Sequence, residues 1–232
     1  GGTITNCYNA GSVNGTEYYI GGVCGENIYG KIENCYNTGT VNGSEEVGGV
    51  CGCSYEGTMT NCNNTGNVSG TDGVGGVCGR NGYGTITNCN SSGKINGTGN
   101  YAGGVSGMNS RGAIANCYYD RTVYTGAAIG TDIGTTTTTA EGKTTEQYKS
   151  GEVAYLLQAD RTEEVWGQTI GTDLYPVLGG KKVYQNREYD SCDESGNVVA
   201  YLYSNEQENK YTHTLVKTDR KADCVTAGED EY

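Results

Sequence analysis

Eleven cysteines and one histidine are the residues of this 232-residue chain with the most chemistry open to them. Thiolates and imidazoles bind metals or act as nucleophiles and bases, but each role needs partners at a suitable spacing. Only Cys224 accompanies His213, so a four-ligand zinc site cannot be completed there, and we interpret His213 as an exposed histidine on a strand. The chain has no nucleophile elbow and no metal-ligand motif. We therefore predict no catalytic residue, no metal site, no calcium site and no cofactor.

Most of the cysteines recur at regular intervals along the first half of the chain. One series has spacings of 28, 27, 27 and 28 residues and comprises Cys7, Cys35, Cys62, Cys89 and Cys117. A second series has spacings of 27 residues and comprises Cys24, Cys51 and Cys78. Two interpretations stay open: free thiols that serve as small apolar fillers, or vertical disulfides between stacked repeats, since a spacing of about 4.8 Å lies within the Cα range of a disulfide.

These cysteines belong to a repeat whose other positions predict the fold. One unit reads GTITNCYNTGxVNG, then a variable stretch, then VGGVCG, and it holds three short β-branched segments separated by Gly and Asn. Its apolar position is occupied by Ile4, Ile32, Met59, Ile86 and Ile114. Its asparagine never varies and is Asn6, Asn34, Asn61, Asn88 and Asn116. The pattern predicts an all-β fold, a parallel β-helix of about five coils of 27–28 residues, in which equivalent positions stack.

The same positions predict how the coils turn and pack. The isoleucine and valine columns should point inward, and the asparagines should take left-handed backbone at a corner, where their amides can bond from coil to coil. The paired glycines, such as Gly48-Gly49, should permit positive φ or a close approach between coils.

Three regions follow from the extent of the repeat. Residues 1–130 form the solenoid, residues 131–185 a linker and C-terminal cap, and residues 186–232 an acidic β-rich tail module that we expect to be truncated. In the cap, a helix over about 145–159 begins at Thr144, with Gln147 as its capping-box partner, and Trp166 is expected to plug the last coil. In the tail, a hairpin should turn around Asp193 to Asn197. Since the first residues already lie inside a repeat, we expect a longer polypeptide at both ends.

The repeat resembles the GLUG motif family, short repeats of bacterial adhesins that also occur as an accessory region in some secreted peptidases. The residues that carry the resemblance are Gly21–Gly25, Gly48–Gly52, Gly75–Gly79 and Gly103–Gly107. The cap segment also resembles the one that often closes such solenoids. The resemblance implies an extracellular, secreted or cell-surface location and adhesion-related work without an enzyme activity.

Composition limits the partners. The formal charge is −12 and the pI is near 4.5. These values disfavour nucleic acid and anionic membranes as partners, because both bind to clusters of Lys and Arg. No apolar run approaches the roughly 18 residues of a membrane span, so we predict no membrane insertion.

The tyrosines are the candidate ligand contacts. Tyr8, Tyr36 and Tyr118 follow the ladder cysteine, and further tyrosines lie in the variable stretches, where they could stack on sugars or pack against a protein. We therefore predict an adhesion or scaffolding segment with an unidentified glycan or protein ligand. An accessory, non-catalytic domain of a larger secreted peptidase or polysaccharide-degrading enzyme is the alternative. Ice binding by the Thr-x-Thr triplets is a remote one, because Lys31 and Glu33 interrupt their column.

Overall fold

Successive repeats stack in phase to form a parallel β-helix of about five coils. In the computed structural model, which describes residues 1–133, 138–159, 161–187 and 201–207, every coil pairs in parallel with the next. The register aligns Ile4 with Ile32 and then Met59 with Ile86, as the repeat spacing requires. The predicted fold class is confirmed.

Each complete coil contains five short strands rather than the three expected from the β-branched segments. The first strands are Thr3–Thr5, Lys31–Glu33, Thr58–Thr60, Thr85–Thr87 and Ala113–Asp120. The second strands are Tyr8–Asn9, Tyr36–Asn37, Asn63–Asn64 and Asn90–Ser91, and Ala113–Asp120 extends into this position in the fifth coil. The third strands are Val13–Asn14, Val41–Asn42, Val68–Gly70 and Ile95–Gly97. The fourth strands are Tyr18–Gly21, Glu45–Gly48, Asp72–Gly75 and Ala102–Gly103. The fifth strands are Cys24–Ile28, Cys51–Tyr55, Cys78–Gly82, Ser106–Ser110 and Ile129–Ile133.

The difference in strand number arises in segments without β-branched residues. Second strands such as Tyr36–Asn37 contain none, and neither do fifth strands such as Cys51–Tyr55. Both are strands because each backbone pairs with the coil above and the coil below, whatever its side chains are. Hydrophobic pattern alone therefore underestimated the extent of the sheets.

Small apolar side chains fill the interior of the coils. The Ile, Met, Cys and Val columns form one core cluster, in which Ile32, Met59, Ile86 and Ile114 are fully buried. A second column of valines, including Val47 and Val74, lies under the third and fourth strands. Burial of each such side chain stabilises the fold by about 1.5–3 kcal/mol before conformational entropy is subtracted.

Asparagine and glycine shape the corners by different means. Asn6, Asn34, Asn61, Asn88 and Asn116 have φ between 50° and 55°, the left-handed region that asparagine tolerates. The glycine pairs are needed for close approach: a Cβ on Gly49 would lie 2.2 Å from the Gly76 carbonyl oxygen of the next coil. The consensus also contains a second, buried asparagine ladder, in which Asn37 donates to Asn64 Oδ1 at 2.8 Å.

The C-terminal end of the core is covered by the chain that follows the fifth coil. The strand Thr138–Lys143 pairs in parallel with Ala113–Asp120. Tyr124 and Ala140 pack against the core cluster, which includes Tyr119 of the fifth coil. Trp166 is buried, as expected, but it belongs to a separate cluster with Tyr148, Val153, Leu157 and Tyr118. The prediction that Trp166 plugs the last coil is therefore wrong.

Two helices occupy the place of the single predicted helix. Helix α1 spans Thr145–Ser150, and Thr144 and Gln147 form the expected capping box. Gly151 ends α1 with φ of 91°, and α2 spans Glu152–Gln158. The left-handed glycine interrupts the helix. Among the described residues, no helix has both the length and the hydropathy to cross a bilayer.

Two small antiparallel sheets follow the helices. Trp166–Gly167 pairs with Val177–Leu178, and Tyr184–Arg187 pairs with Tyr201–Ser204. The second pair crosses the expected boundary between residues 185 and 186. The predicted turn around Asp193 to Asn197, His213 and Cys224 all lie outside the described residues.

Candidate ligand-binding groove

Two columns of side chains define one side of the rod, which we call the Asn/Tyr face. One column is the five corner asparagines. The other lies two residues later in each coil and comprises Tyr8, Tyr36, Asn63, Asn90 and Tyr118, aligned by the register of the second strands. Parallel stacking therefore places three tyrosines and two asparagines in a single row along the rod.

The segment from α1 to Leu178, which we call the lateral segment, covers the later coils of this face. Tyr148 Oη donates to Asn90 Oδ1 at 2.6 Å, Arg161 Nη1 donates to Asn61 Oδ1 at 2.8 Å, and Asn63 Nδ2 donates to the Pro176 carbonyl at 3.3 Å. The segment lies along the side of the solenoid, because these partners belong to its third and fourth coils.

Tyr118 is therefore not an accessible ligand contact. Its side chain is 7% exposed and packs with Tyr148 and Trp166, and Lys143 Nζ lies 5.8 Å from its ring centroid. Burial raises the pKa of Tyr118 to about 12. The expectation that its ring faces ligand was wrong, because the lateral segment folds back over the fifth coil.

Tyr8 and Tyr36 remain uncovered in the first two coils. Their rings stack with centroids 5.1 Å apart and planes 8° from parallel, and they are 66% and 37% exposed. The structure thus brings together two of the three predicted contact residues as one stacked pair of rings, which we call the aromatic platform.

A groove of about 320 Å³ forms where the lateral segment ends beside this platform. Its walls are Asn6, Asn34, Tyr36, Glu163, Glu164, Val165, Leu178 and Gly179. Glu164 pairs with Lys182 at 3.3 Å, and Glu163 is exposed. The groove combines an aromatic ring, two corner amides, carboxylates and an apolar wall.

The residues of the lateral segment in this groove were missed by sequence reasoning. Glu163 lies more than 120 residues from Tyr36, and no periodic pattern connects the two. The one available signal was the helix with its capping box, which predicts a docked element but not the side on which it docks.

The remaining tyrosines belong to regular parts of the coils rather than to irregular arcs. Tyr18, Tyr19 and Tyr101 are in or beside the fourth strands. Tyr55 ends a fifth strand, and Tyr29 and Tyr83 lie at the corner that follows the fifth strands.

The described cysteines are thiols whose acidity differs with their surroundings. The nine described cysteines are free thiols. Burial raises the pKa of Cys35 to about 11 and the pKa of Cys89 well above its ordinary value. A hydrogen bond from Cys51 lowers the pKa of Cys24 to about 7. Within the described ranges, no three His, Cys, Asp or Glu side chains are grouped so that they could hold a metal ion.

Comparison with known proteins identifies the repeat. Residues 16–42, 43–69 and 70–96 each match the GLUG motif. No curated protein and no solved structure matches the chain. Each matched stretch contains one Gly-Gly-Val-Cys-Gly sequence and spans one coil of the solenoid. Residues 16–96 of this β-solenoid are three consecutive repeats of the GLUG motif.

Proposed function

We propose that this chain is a non-catalytic adhesion or scaffolding segment of a secreted or cell-surface protein, and that it binds a glycan in the groove beside Tyr36. The observation that carries the proposal is the stacked, exposed pair Tyr8 and Tyr36 next to the amides of Asn6 and Asn34. An aromatic face packs on the C–H face of a sugar ring, while amides and carboxylates bond to its hydroxyls.

The rigidity of the rod supports binding at this site. Tyr36 lies on a strand that pairs with the coils on both sides, and the Tyr36 amide donates to the Cys7 carbonyl at 3.0 Å. Little backbone ordering is needed when the ligand arrives, so less of the contact energy is lost.

The charge of the site narrows the ligand class. The groove contains Glu163 and Glu164, and the chain has a formal charge of −12. An anionic glycan would be repelled, whereas hydroxyl-rich neutral sugars can bond to both the amides and the carboxylates. The proposed ligand is a neutral glycan.

A glycan array probed with the whole chain and with Tyr36→Ala tests this proposal. We expect the wild-type chain to retain a set of neutral glycans, and Tyr36→Ala to weaken their binding at least about fivefold, equivalent to about 1 kcal/mol. Glu163→Gln should weaken binding to the same glycans and leave the fold unchanged.

Tyr101→Ala is the matched control, because Tyr101 is 42% exposed, close to the 37% of Tyr36, but lies on the fourth-strand side of the rod. It should bind as the wild type does. If no glycan is retained, or if Tyr36→Ala and Tyr101→Ala bind the array identically, the groove is not a glycan site.

A further inference from the structure

At the corner after the fifth strand, the backbone has a left-handed conformation that the residues found there rarely adopt. Tyr29, Glu56, Tyr83 and Arg111 occupy it in successive coils with φ of 52°, 49°, 53° and 58°. Asparagine or glycine adopts this left-handed conformation at lower cost, and the corner before the ladder cysteine uses asparagine in all five coils. The backbone therefore does not explain why tyrosine, glutamate and arginine stand at this corner.

Tyrosine side chains at this corner and at the end of the fifth strand form a continuous row, in which Tyr55 is half-buried. Tyr29 and Tyr55 have ring centroids 6.4 Å apart, and Tyr55 and Tyr83 have centroids 5.7 Å apart. We call these three residues the tyrosine ladder. Tyr29 is 61% exposed and Tyr83 is 49% exposed. The contacts of the lateral segment described above go to the Asn/Tyr face instead, so the ladder remains accessible.

Ring orientation distinguishes the ladder from the groove. The interplanar angles are 87° for Tyr29 and Tyr55 and 69° for Tyr55 and Tyr83, against 8° for Tyr8 and Tyr36. The rings of the ladder are not stacked face to face. They do present ring faces from two directions, which is the arrangement that surrounds a cation.

One end of the ladder already holds a cation. The guanidinium carbon of Arg111 lies 5.7 Å from the Tyr83 ring centroid, and Arg111 Nη1 donates to Tyr83 Oη at 2.9 Å. This contact shows within the molecule how a guanidinium is accommodated on these rings.

The middle of the ladder has an anion beside it that is not paired with a cation within the described ranges. Glu56 is exposed and adjoins Tyr55, and burial together with the Glu56 carboxylate raises the pKa of Tyr55. None of the ion pairs between described residues includes Glu56. Residues 1–133 hold nine Asp and Glu against five Lys and Arg, so the rod has a formal charge of −4, which attracts a cationic segment and disfavours a second copy of the chain.

We propose that Tyr29, Tyr55 and Glu56 bind the guanidinium or ammonium group of a basic segment of a partner protein. The rings contribute cation–π contacts, as Tyr83 does for Arg111, and Glu56 supplies the ion pair. This surface is separate from the groove and does not depend on a glycan being bound there.

Titration of the whole chain with a hexa-arginine peptide at fixed ionic strength tests the proposal, with binding followed by calorimetry and by tyrosine-ring NMR shifts. We expect Tyr55→Leu and Glu56→Gln each to weaken binding by about threefold or more, with shifts centred on Tyr29 and Tyr55. Tyr55 has no left-handed backbone, so its substitution leaves the corner unstrained.

Two control variants distinguish peptide binding at the ladder from non-specific electrostatic attraction to the whole chain. Glu17→Gln removes the same charge at another exposed position, and Tyr8→Leu removes an exposed ring from the Asn/Tyr face. Both should bind the peptide within twofold of wild type. If Glu17→Gln weakens binding as much as Glu56→Gln, or if Tyr55→Leu has no effect, the attraction is diffuse and the ladder is not the site. Ladder shifts produced by a neutral oligosaccharide and not by the peptide would also overturn the proposal.

Discussion

At the scale of single residues, the corners of the coils are the positions where the backbone conformation most restricts the choice of residue. All five corner asparagines have left-handed backbone, and Asn116 Nδ2 donates to Asn88 Oδ1 at 2.8 Å, which links the fourth coil to the fifth. Other corners place tyrosine in the same conformation, including Tyr101 with φ of 62°. The Asn corner and the Tyr101 corner are therefore expected to respond in opposite directions to substitution.

Tyr101→Asn is expected to raise the free energy of unfolding by about 1 kcal/mol, because asparagine tolerates positive φ better than a bulky residue does and the ring of Tyr101 is 42% exposed.

Asn88→Ala should lower the free energy of unfolding by about 2 kcal/mol, since it adds left-handed strain and removes the hydrogen bond from Asn116. Urea unfolding measures both. Asn88→Gly, which keeps the backbone freedom, should cost less than Asn88→Ala; an equal cost would show that the corner conformation is unimportant.

At the scale of elements, the lateral segment is held to the rod by polar contacts as well as by its apolar cluster. Helix α1 presents Tyr148, which is fully buried and donates to Asn90 Oδ1, and Asn90 Nδ2 in turn donates to Asn63 Oδ1 at 3.0 Å. A buried amide ladder on the solenoid thus ends in a tyrosine hydroxyl of the helix. That contact ties the position of the segment, and therefore the groove, to the third and fourth coils.

Tyr148→Phe is expected to lower the free energy of unfolding by about 1–2 kcal/mol, because the buried Asn90 oxygen loses its donor while the apolar packing is kept. Chemical denaturation provides the measurement. Tyr8→Phe, which removes a hydroxyl from a ring that is 66% exposed, should change stability by less than about 0.5 kcal/mol. Equal effects of the two variants would argue that the lateral segment does not dock through Tyr148.

At the scale of the whole molecule, packing of the coils and of the lateral segment leaves neutral acids with raised pKa values. Burial raises the pKa of Cys35 to about 11 from an ordinary value of 9.0, and that of Tyr175 to about 12 from 10.0. The raised values mean that the unfolded chain releases these protons at lower pH than the folded chain does. Their contribution to stability is therefore complete below pH 9 and is lost as the pH rises through 11 to 12.

The urea midpoint should accordingly fall steeply between pH 9 and pH 11, with about 2 kcal/mol lost through Cys35 alone at pH 11. The experiment is carried out under reductant so that thiol oxidation does not contribute. Cys35→Ala should be less stable than wild type at pH 7 but should show a shallower decline with pH. A wild-type midpoint that stays constant from pH 8 to pH 11 would contradict the burial of these groups.

Periodicity in the sequence determined the solenoid, its coil length and the stacking of each column. A unit of 27–28 residues that repeats with little change leaves one way to bury every Ile4-type side chain, which is to place each coil on the previous one. The capping box at Thr144 could also be predicted from the sequence, because its two residues lie only three positions apart. The strands of low hydrophobicity were missed, because they depend on hydrogen bonds between neighbouring coils rather than on their own side chains.

Only the tertiary structure decided what the periodic columns are used for. Tyr36 and Tyr118 are equivalent in sequence, yet one forms an open platform and the other is buried, because the lateral segment reaches back along the rod only as far as the groove. The tyrosine ladder likewise joins Tyr55 to rings at a neighbouring repeat position. A repeat specifies which positions stack, whereas the packing of a non-repetitive segment against them depends on contacts between residues far apart in the chain, for which the sequence has no period.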